Sequence, residues 1–492
     1  MSRSLRVLPL AHPAEPPGTS CTITFDGEAL PAVSDEPLAV ALFASGRRVL
    51  ARSTKFHRPR GAFCFDGHCG GCLVRMDGNP NVRSCMVPAR DGLVCAGQNA
   101  FPSTELDALA LADWLFPRGM DHHTLMTGNR LANTVLVQLV RQMGGSGTLP
   151  DAPPTAPVPS PRALAVDVVV VGGGPAGLAA ADALVAAADG LRVLLVDEQA
   201  ELGGSWRAEP DGPARARTLG ARLQARGVRI LPRATAIGYF PEDRLPAVEP
   251  PSSSPAPAPA AAAAVDRAAP PGLLAVASAT EGLFKISARR FLYATGSADQ
   301  NLPFPDNDRP GIISARACGR LAFQHGIRAG RRIAIVGDEA YGDRLATGLL
   351  AAGISPADLA RIPDPRAIHG VSGATRLRGL TLGPVAGSGG GASAHLSVDA
   401  IAVAARPAPA SELPRQHGAE VLFDLARGGF ATIIDAEFGT TIPGVLACGD
   451  VTGYVGPARA EAEGRAAGAL LGRKLGRMLG RGQTPKGATP RP

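Results

Sequence analysis

Lysine is nearly missing from this chain, occurring only at positions 55, 285, 474 and 486. The 50 basic residues are therefore almost all arginine, and against 43 acidic ones they leave a net charge of +7, mild for 492 residues. No basic run exceeds a few residues, and aromatics make up only 4%. Nucleic-acid surfaces need clustered cations, so no nucleic-acid partner is expected. Long apolar runs are missing too. The most apolar stretch, Leu164 to Ala188, holds Asp167 and Asp182 and is broken by Gly172, Gly173, Gly174 and Pro175, so no membrane span is expected. The opening MSRSLRVLPLAHPAEPP lacks the apolar core of a signal peptide, and a cytoplasmic location is expected. Eight cysteines are too few for a disulfide framework at this length. Hydrophobic residues at 45% and charged ones at 19% exclude wholesale disorder. The 60 Gly and 45 Pro show no period of three, which excludes collagen.

What is present divides into blocks. Gly144 to Pro161 is rich in Gly, Pro and Ala and reads as a linker. Pro250 to Pro271 is a second low-complexity stretch, between the strand-like pieces Ala234–Phe240 and Leu273–Ser278, and reads as an insertion in a hairpin. Residues 1–143 start with short strands, Cys21–Phe25 and Arg47–Ala51, flanking a helical Pro37–Ser45. They end in a helix-like run, Asn129–Met143. After the linker, strands alternate with helices, which implies a parallel sheet with crossovers. The expected domains are 1–143, a linker at 144–163, a first dinucleotide-binding domain from 164–330 plus 437–478, a second such domain at 331–436, and a tail at 479–492.

Four cysteines crowd into CFDGHCGGCLVRMDGNPNVRSC. Cys64, Cys69 and Cys72 are separated by four and two residues, and Cys85 follows a strand-like LVRM. This is the C-x4-C-x2-C…C spacing of plant-type [2Fe–2S] centres, in which three thiolates converge from one loop and the fourth from a later segment. Gly67, Gly70 and Gly71 let the loop fold tightly and turn N–H groups toward the sulfurs. A four-thiolate zinc site and a chance group of buried thiols are the competing readings. Cys95 is an alternative fourth ligand. Cys21, Cys318 and Cys448 read as core thiols.

CFDGHCGGC and VRSC resemble the iron–sulfur domains of molybdenum hydroxylases. STKFHRPRGAF and NPNVRSCM resemble the N-terminal region of the heterotetrameric sarcosine oxidase alpha subunit. That subunit largely lacks the cysteines, so the chain is more similar to the iron–sulfur subunits of hydrogen cyanide synthase, opine oxidase and hydroxyproline dehydrogenase complexes. The resemblance implies an α+β ferredoxin-like β-grasp fold for the first domain. Arg58 and Arg60 of HRPRG then fit either contact with a partner's cofactor or a structural loop role.

Val168–Val171 runs into GGGPAG, with Gly172, Gly174 and Gly177 in G-x-G-x-x-G register and Pro175 and Ala176 between them. A helix-like Leu178–Ala187 and a strand Val193–Val196 ending at Asp197-Glu198 complete the unit that binds a dinucleotide pyrophosphate on a helix N-terminus. Asp197 or Glu198 would hold ribose hydroxyls. LGGSW follows, with Gly203, Gly204 and Ser205, then ATG with Thr295 and Gly296, then CGD with Gly449 and Asp450. In this order the segments resemble the flavoproteins with two dinucleotide-binding domains. That resemblance implies that Asp450 or its adjacent backbone meets the flavin. FAD is the expected occupant, with NAD and ATP as alternatives for the same site.

A second strand, Arg332–Val336, enters another glycine turn, but the middle position is Glu339. A charged side chain there crowds and repels a pyrophosphate, so the fold is expected to persist without the nucleotide. The overall expectation is an α/β flavoprotein with two Rossmann-like domains behind a [2Fe–2S] domain. By resemblance it is an oxidoreductase subunit that moves electrons between flavin and cluster. The implied partner is a flavoprotein of the D-amino-acid/glycine oxidase type, with a small additional iron–sulfur subunit as a further candidate. No catalytic base or nucleophile stands out. The alternatives are a self-sufficient NAD(P)H:acceptor reductase and a nucleotide-binding structural subunit.

Overall fold

The computed structural model describes residues 5–7, 18–54, 56–111, 130–131, 134, 159–241, 272–337, 339–385 and 393–481. The expected insertion at 250–271 lies outside them. So do nearly all of the linker, the tail beyond residue 481, and the helix-like run 129–143 apart from residues 130, 131 and 134. The chain forms two compact units, one from Met1–Ala156 and Asp299–Ala405, the other from Pro157–Ala298 and Arg406–Pro492.

In the first unit, alternation builds the starting hairpin. Cys21, Ile23 and Phe25 of Ser20–Phe25 are buried, while the threonines between them are not. Asp26 and Gly27 both take positive φ, the mirror-type turn that matches strand twist, and return the chain into Glu28–Val33. These strands join Val94–Ala96, Leu73–Met76 and Asn79–Arg83 in a five-stranded mixed sheet, covered by the wholly buried helix Leu38–Ala44. This is a β-grasp. The strand expected at Arg47–Ala51 is reduced to Ala51–Arg52, paired with Pro59–Arg60. The Arg47 N–H is used up closing the preceding helix on the Leu42 carbonyl, and Arg48 folds back over the Phe43 ring, so this stretch leaves a helix instead of entering a sheet.

Residues 299–405 of the same unit build a parallel sheet in the order Ile312–Ser314, Ala400–Val403, Ile333–Val336, Leu359–Ile362, with the helix Ala340–Ala351 as crossover. Phe63, just ahead of Cys64, packs against this core.

The second unit holds a seven-stranded sheet. Arg229–Leu231, Val193–Val196, Arg162–Val171 and Gly282–Tyr293 run parallel, with Val445–Ala447 also parallel to the last. An antiparallel pair, Gly272–Ser278 and Ala234–Pro241, extends the sheet, so the hairpin expected around the insertion is present. Val168–Val171 is buried on both faces, as the centre of a parallel sheet requires. The helix Pro175–Ala187 lies against Pro457–Arg481. Gly464, Gly468 and Gly472 face it four residues apart. A Cβ on either of the first two would stand 2.0 Å from the carbonyl of Ala176 or Ala180, so only glycine permits this approach.

His417 sits in the aromatic part of this core. It stacks on Tyr239 with ring centroids 3.5 Å apart, and its Nδ1 shares a 2.8 Å hydrogen bond with the Tyr293 hydroxyl. Burial pushes its pKa down to about 4. The unfolded chain takes up that proton near pH 6.5, before the native chain does. Stability is therefore expected to fall as pH drops from about 6.5 to about 4, by on the order of 3 kcal/mol at most from this residue. Thermal melts at pH 7 and pH 5 check it: His417→Gln should remove most of the pH difference, and an unchanged difference would refute the assignment.

Candidate functional site

The cluster loop runs from Gly61 to Cys72, between Pro59–Arg60 and Leu73–Met76. Cys64, Cys72 and Cys85 are buried, while Cys69 is exposed at the tip beside His68 and Gly70. Gly70 turns the tip at φ +63°. A Cβ on Gly71 would stand 2.4 Å from the Gly61 carbonyl. The thiols meet as two hydrogen-bonded pairs, Cys64 with Cys69 and Cys72 with Cys85. Within each pair one sulfur is driven toward the thiolate. The bond from Cys64 brings Cys69 down to about 5, and the bond from Cys85 brings Cys72 down to about 7. Their donors, Cys64 and Cys85, are raised by the same bonds and by burial. The N–H groups of Asp66 and Gly71 point at the Cys64 and Cys69 sulfurs, each at 3.4 Å.

Two pairs of sulfurs suit two irons sharing bridging sulfides. Cys95 is engaged elsewhere: its thiol donates to the Thr24 carbonyl at 3.2 Å, and burial pushes it up to about 12. Cys21, Cys318 and Cys448 are free, buried thiols, as expected.

The loop is seated by residues that local sequence patterns do not mark. Arg320, 3% exposed, donates through Nη1 to the Cys64 carbonyl at 2.7 Å and through Nη2 to Asp66 at 2.6 Å. Nη1 also reaches Asp299 at 3.4 Å. Asp299 in turn accepts from Ser314 Oγ at 2.7 Å and from Arg316 Nε. Burial alone would raise the Asp299 carboxyl, but the two guanidinium groups hold it at about 2. The Ser314 N–H bonds the Phe63 carbonyl at 3.0 Å.

At the dinucleotide turn, Gly172 has φ +105°, and a Cβ on Gly177 would stand 1.8 Å from the Gly172 carbonyl. Gly174 caps the helix, with Pro175 as its first residue and Ala176 behind it. The LGGSW loop abuts this turn: Gly203 N–H bonds the Gly173 carbonyl at 2.8 Å, and Gly204 opens the short helix that contains Ser205. Asp197 Oδ2 accepts from Gly173 N–H at 2.6 Å and Oδ1 from Gln199 N–H at 2.8 Å, so its carboxylate braces the turn. Glu198 stands next to it, half-buried. Thr295 donates to the Ala410 carbonyl at 2.7 Å, and Gly296 turns at φ +75°. Asp450 is buried. Its Oδ2 accepts from Ser297 at 2.8 Å and its Oδ1 from the Val455 and Gly456 N–H groups. Gly449, held through its N–H by Glu463, packs on Ala176. The expected segments thus converge at the carboxyl ends of the parallel strands, the ligand-binding edge of this architecture. Sequence reasoning missed Ser297 and Glu463, which act only through these long-range contacts.

The domain family described as 2Fe-2S iron–sulfur cluster binding matches residues 18–100, and FAD dependent oxidoreductase matches residues 167–221. The sarcosine oxidase alpha subunit of Rhizobium meliloti (strain 1021) is 32% identical over 475 residues, covering 90% of this chain and 45% of that protein. Hydrogen cyanide synthase subunit HcnA of Pseudomonas aeruginosa is 39% identical over 72 residues, 15% of this chain and 68% of HcnA. The chain belongs to the sarcosine oxidase alpha–hydrogen cyanide synthase family. It spans less than half the length of the sarcosine oxidase alpha subunits it matches. The crystal structure of L-proline dehydrogenase from P. horikoshii shares the fold, with a TM-score of 0.66 at 21% identity, covering 94% of this chain and 75% of that one. As a member of this family the chain is an iron–sulfur flavoprotein, with a [2Fe–2S] cluster and FAD as its cofactors. Among its described residues no helix is long and apolar enough to cross a membrane.

At the second glycine turn of this family member, Gly337 takes φ +112°. Arg361 from the neighbouring strand spans it, donating to the Gly337 carbonyl at 2.9 Å and the Ile335 carbonyl at 3.1 Å while paired with Asp343.

Proposed function

We propose that this chain is the electron-transfer subunit of a heteromeric amine or amino-acid dehydrogenase or oxidase, acting on a sarcosine-, proline-, hydroxyproline- or opine-type substrate. The observation that carries this reading is the presence, on one chain, of a paired four-thiol loop and a complete dinucleotide turn. The flavin, when bound, exchanges two electrons with a donor and single electrons with a cluster. The chain's own residues do the rest. The N-terminus of Pro175–Ala187 and the N–H groups of the turn hold the pyrophosphate. Asp197 fixes that turn, and Glu198 takes the ribose hydroxyls. Asp450 ties Ser297 to the Val455–Gly456 backbone and so fixes its own loop on the flavin side. Cys64, Cys69, Cys72 and Cys85 ligate the cluster.

A D-amino-acid/glycine oxidase-type flavoprotein partner would house the substrate chemistry, in keeping with a chain in which no catalytic base or nucleophile stands out among the described residues. A small additional iron–sulfur subunit is a further partner. Eight unbridged cysteines favour a reducing, cytoplasmic setting. Glu339 and the arginine-spanned second turn favour this reading over a self-sufficient NAD(P)H reductase.

The test is to purify the native assembly, identify its chains and quantify its cofactors. About two irons and two sulfides per copy of this chain, with FAD, are expected. Anaerobic addition of the partner's amine substrate should reduce the cluster. A cluster that stays oxidised while every other centre fills would sink the proposal, as would reduction by NADH alone.

A further inference from the structure

We propose that Arg320 is a positioning residue that raises the reduction potential of the cluster, opposed by Asp66. The inference rests on the iron–sulfur reading of the cysteine loop. One-electron reduction adds a negative charge to a centre already carrying four thiolates. The potential of such a centre depends on nearby charge, on hydrogen bonds around its ligands and on solvent exposure. Arg320 supplies the first two from a buried position. Its guanidinium bonds the carbonyl of one cysteine, Cys64, and the carboxylate two residues further on, Asp66.

Charge–charge interactions weaken far less in such a place than in water. Two guanidinium groups, Arg316 and Arg320, face the two carboxylates, which lets charges sit buried without an isolated ion. Among the described residues the buried Nε–H of Arg320 has no acceptor, an orphan donor of the kind a sulfide would satisfy. The domain that carries Arg320 would thus serve the cluster, whereas its own glycine turn is spanned by Arg361.

The experiment is an EPR-monitored anaerobic redox titration of the cluster in the full chain and three variants. Arg320→Met should make reduction at least tenfold less favourable, a fall of about 59 mV for one electron. Asp66→Asn, which removes a negative charge at nearly constant shape, should shift the potential upward. Arg320→Lys keeps the charge and should stay near the wild type. Wild-type potentials in both Arg320→Met and Asp66→Asn overturn the inference, and so does an Arg320→Lys shift as large as that of Arg320→Met. If Arg320→Met fails to hold the cluster, Asp66→Asn decides alone: an upward shift supports the inference and an unmoved potential overturns it. Absence of any cluster signal in the wild type would instead sink the underlying iron–sulfur reading.

Discussion

A Cys69→Ser chain is expected to lose its iron–sulfur absorption and EPR signal entirely while still binding FAD. Thiolates hold the irons, and Cys69 is the sulfur most easily ionised, at about 5. A serine hydroxyl resists ionisation there and breaks the Cys64–Cys69 pair. Cys69 is also the exposed member of the set, so its loss removes little side-chain packing, and any destabilisation is that of losing the cluster itself. The same change at Cys64, Cys72 or Cys85 would mix ligand loss with core damage. Cys95→Ser serves as the control, because its thiol bonds the Thr24 carbonyl and the cluster should remain. An unchanged visible spectrum in Cys69→Ser would show that the ligand set is wrong.

Gly177→Val is expected to do the converse, releasing flavin and sparing the cluster. Its Cβ would stand 1.8 Å from the Gly172 carbonyl, and that atom belongs to backbone fixed between two strands. The turn must open or the helix Pro175–Ala187 must retreat. Behind the helix, glycines 464 and 468 already touch its carbonyls, so there is no room to retreat. Overpacking of this kind costs on the order of 3 kcal/mol, roughly a hundredfold in FAD affinity. Flavin content after purification and the melting-temperature gain on adding FAD measure it. Glu198→Ala should weaken FAD by about tenfold, the value of one hydrogen bond to a charged group. Full flavin occupancy in Gly177→Val would show that this turn is not the pyrophosphate site.

Motifs whose meaning lies in spacing were legible beforehand. The cysteine gaps and the strand–glycine turn–helix register are local, and the structure places their residues together. Choices that depend on strand register were not. Cys85 and Cys95 are ten positions apart, and only the pairing of Val94–Ala96 with Ser20–Phe25 shows that Cys95 is turned to a carbonyl of the sheet. Asp197 and Glu198 are adjacent acids, and only the folded turn reveals which one braces Gly173. The Arg320–Asp66 pair spans 254 positions and carries no local signature. Asp450 or its adjacent backbone is expected at the flavin, and that its carboxylate accepts from Ser297, Val455 and Gly456 is a use that the Gly-Asp dipeptide alone does not reveal.

The interleaved path of the chain has a practical side for dissection. One unit is assembled from residues 1–156 and 299–405, so severing the gene after residue 156 would part the thiol loop from Arg320 and Ser314 and yield an unsupported fragment. Excising 299–405 is different. Ser297–Ala298 and Ala408–Pro409 already run side by side as antiparallel strands, so a short artificial loop could rejoin them and leave the flavin-carrying half as a stand-alone graft acceptor.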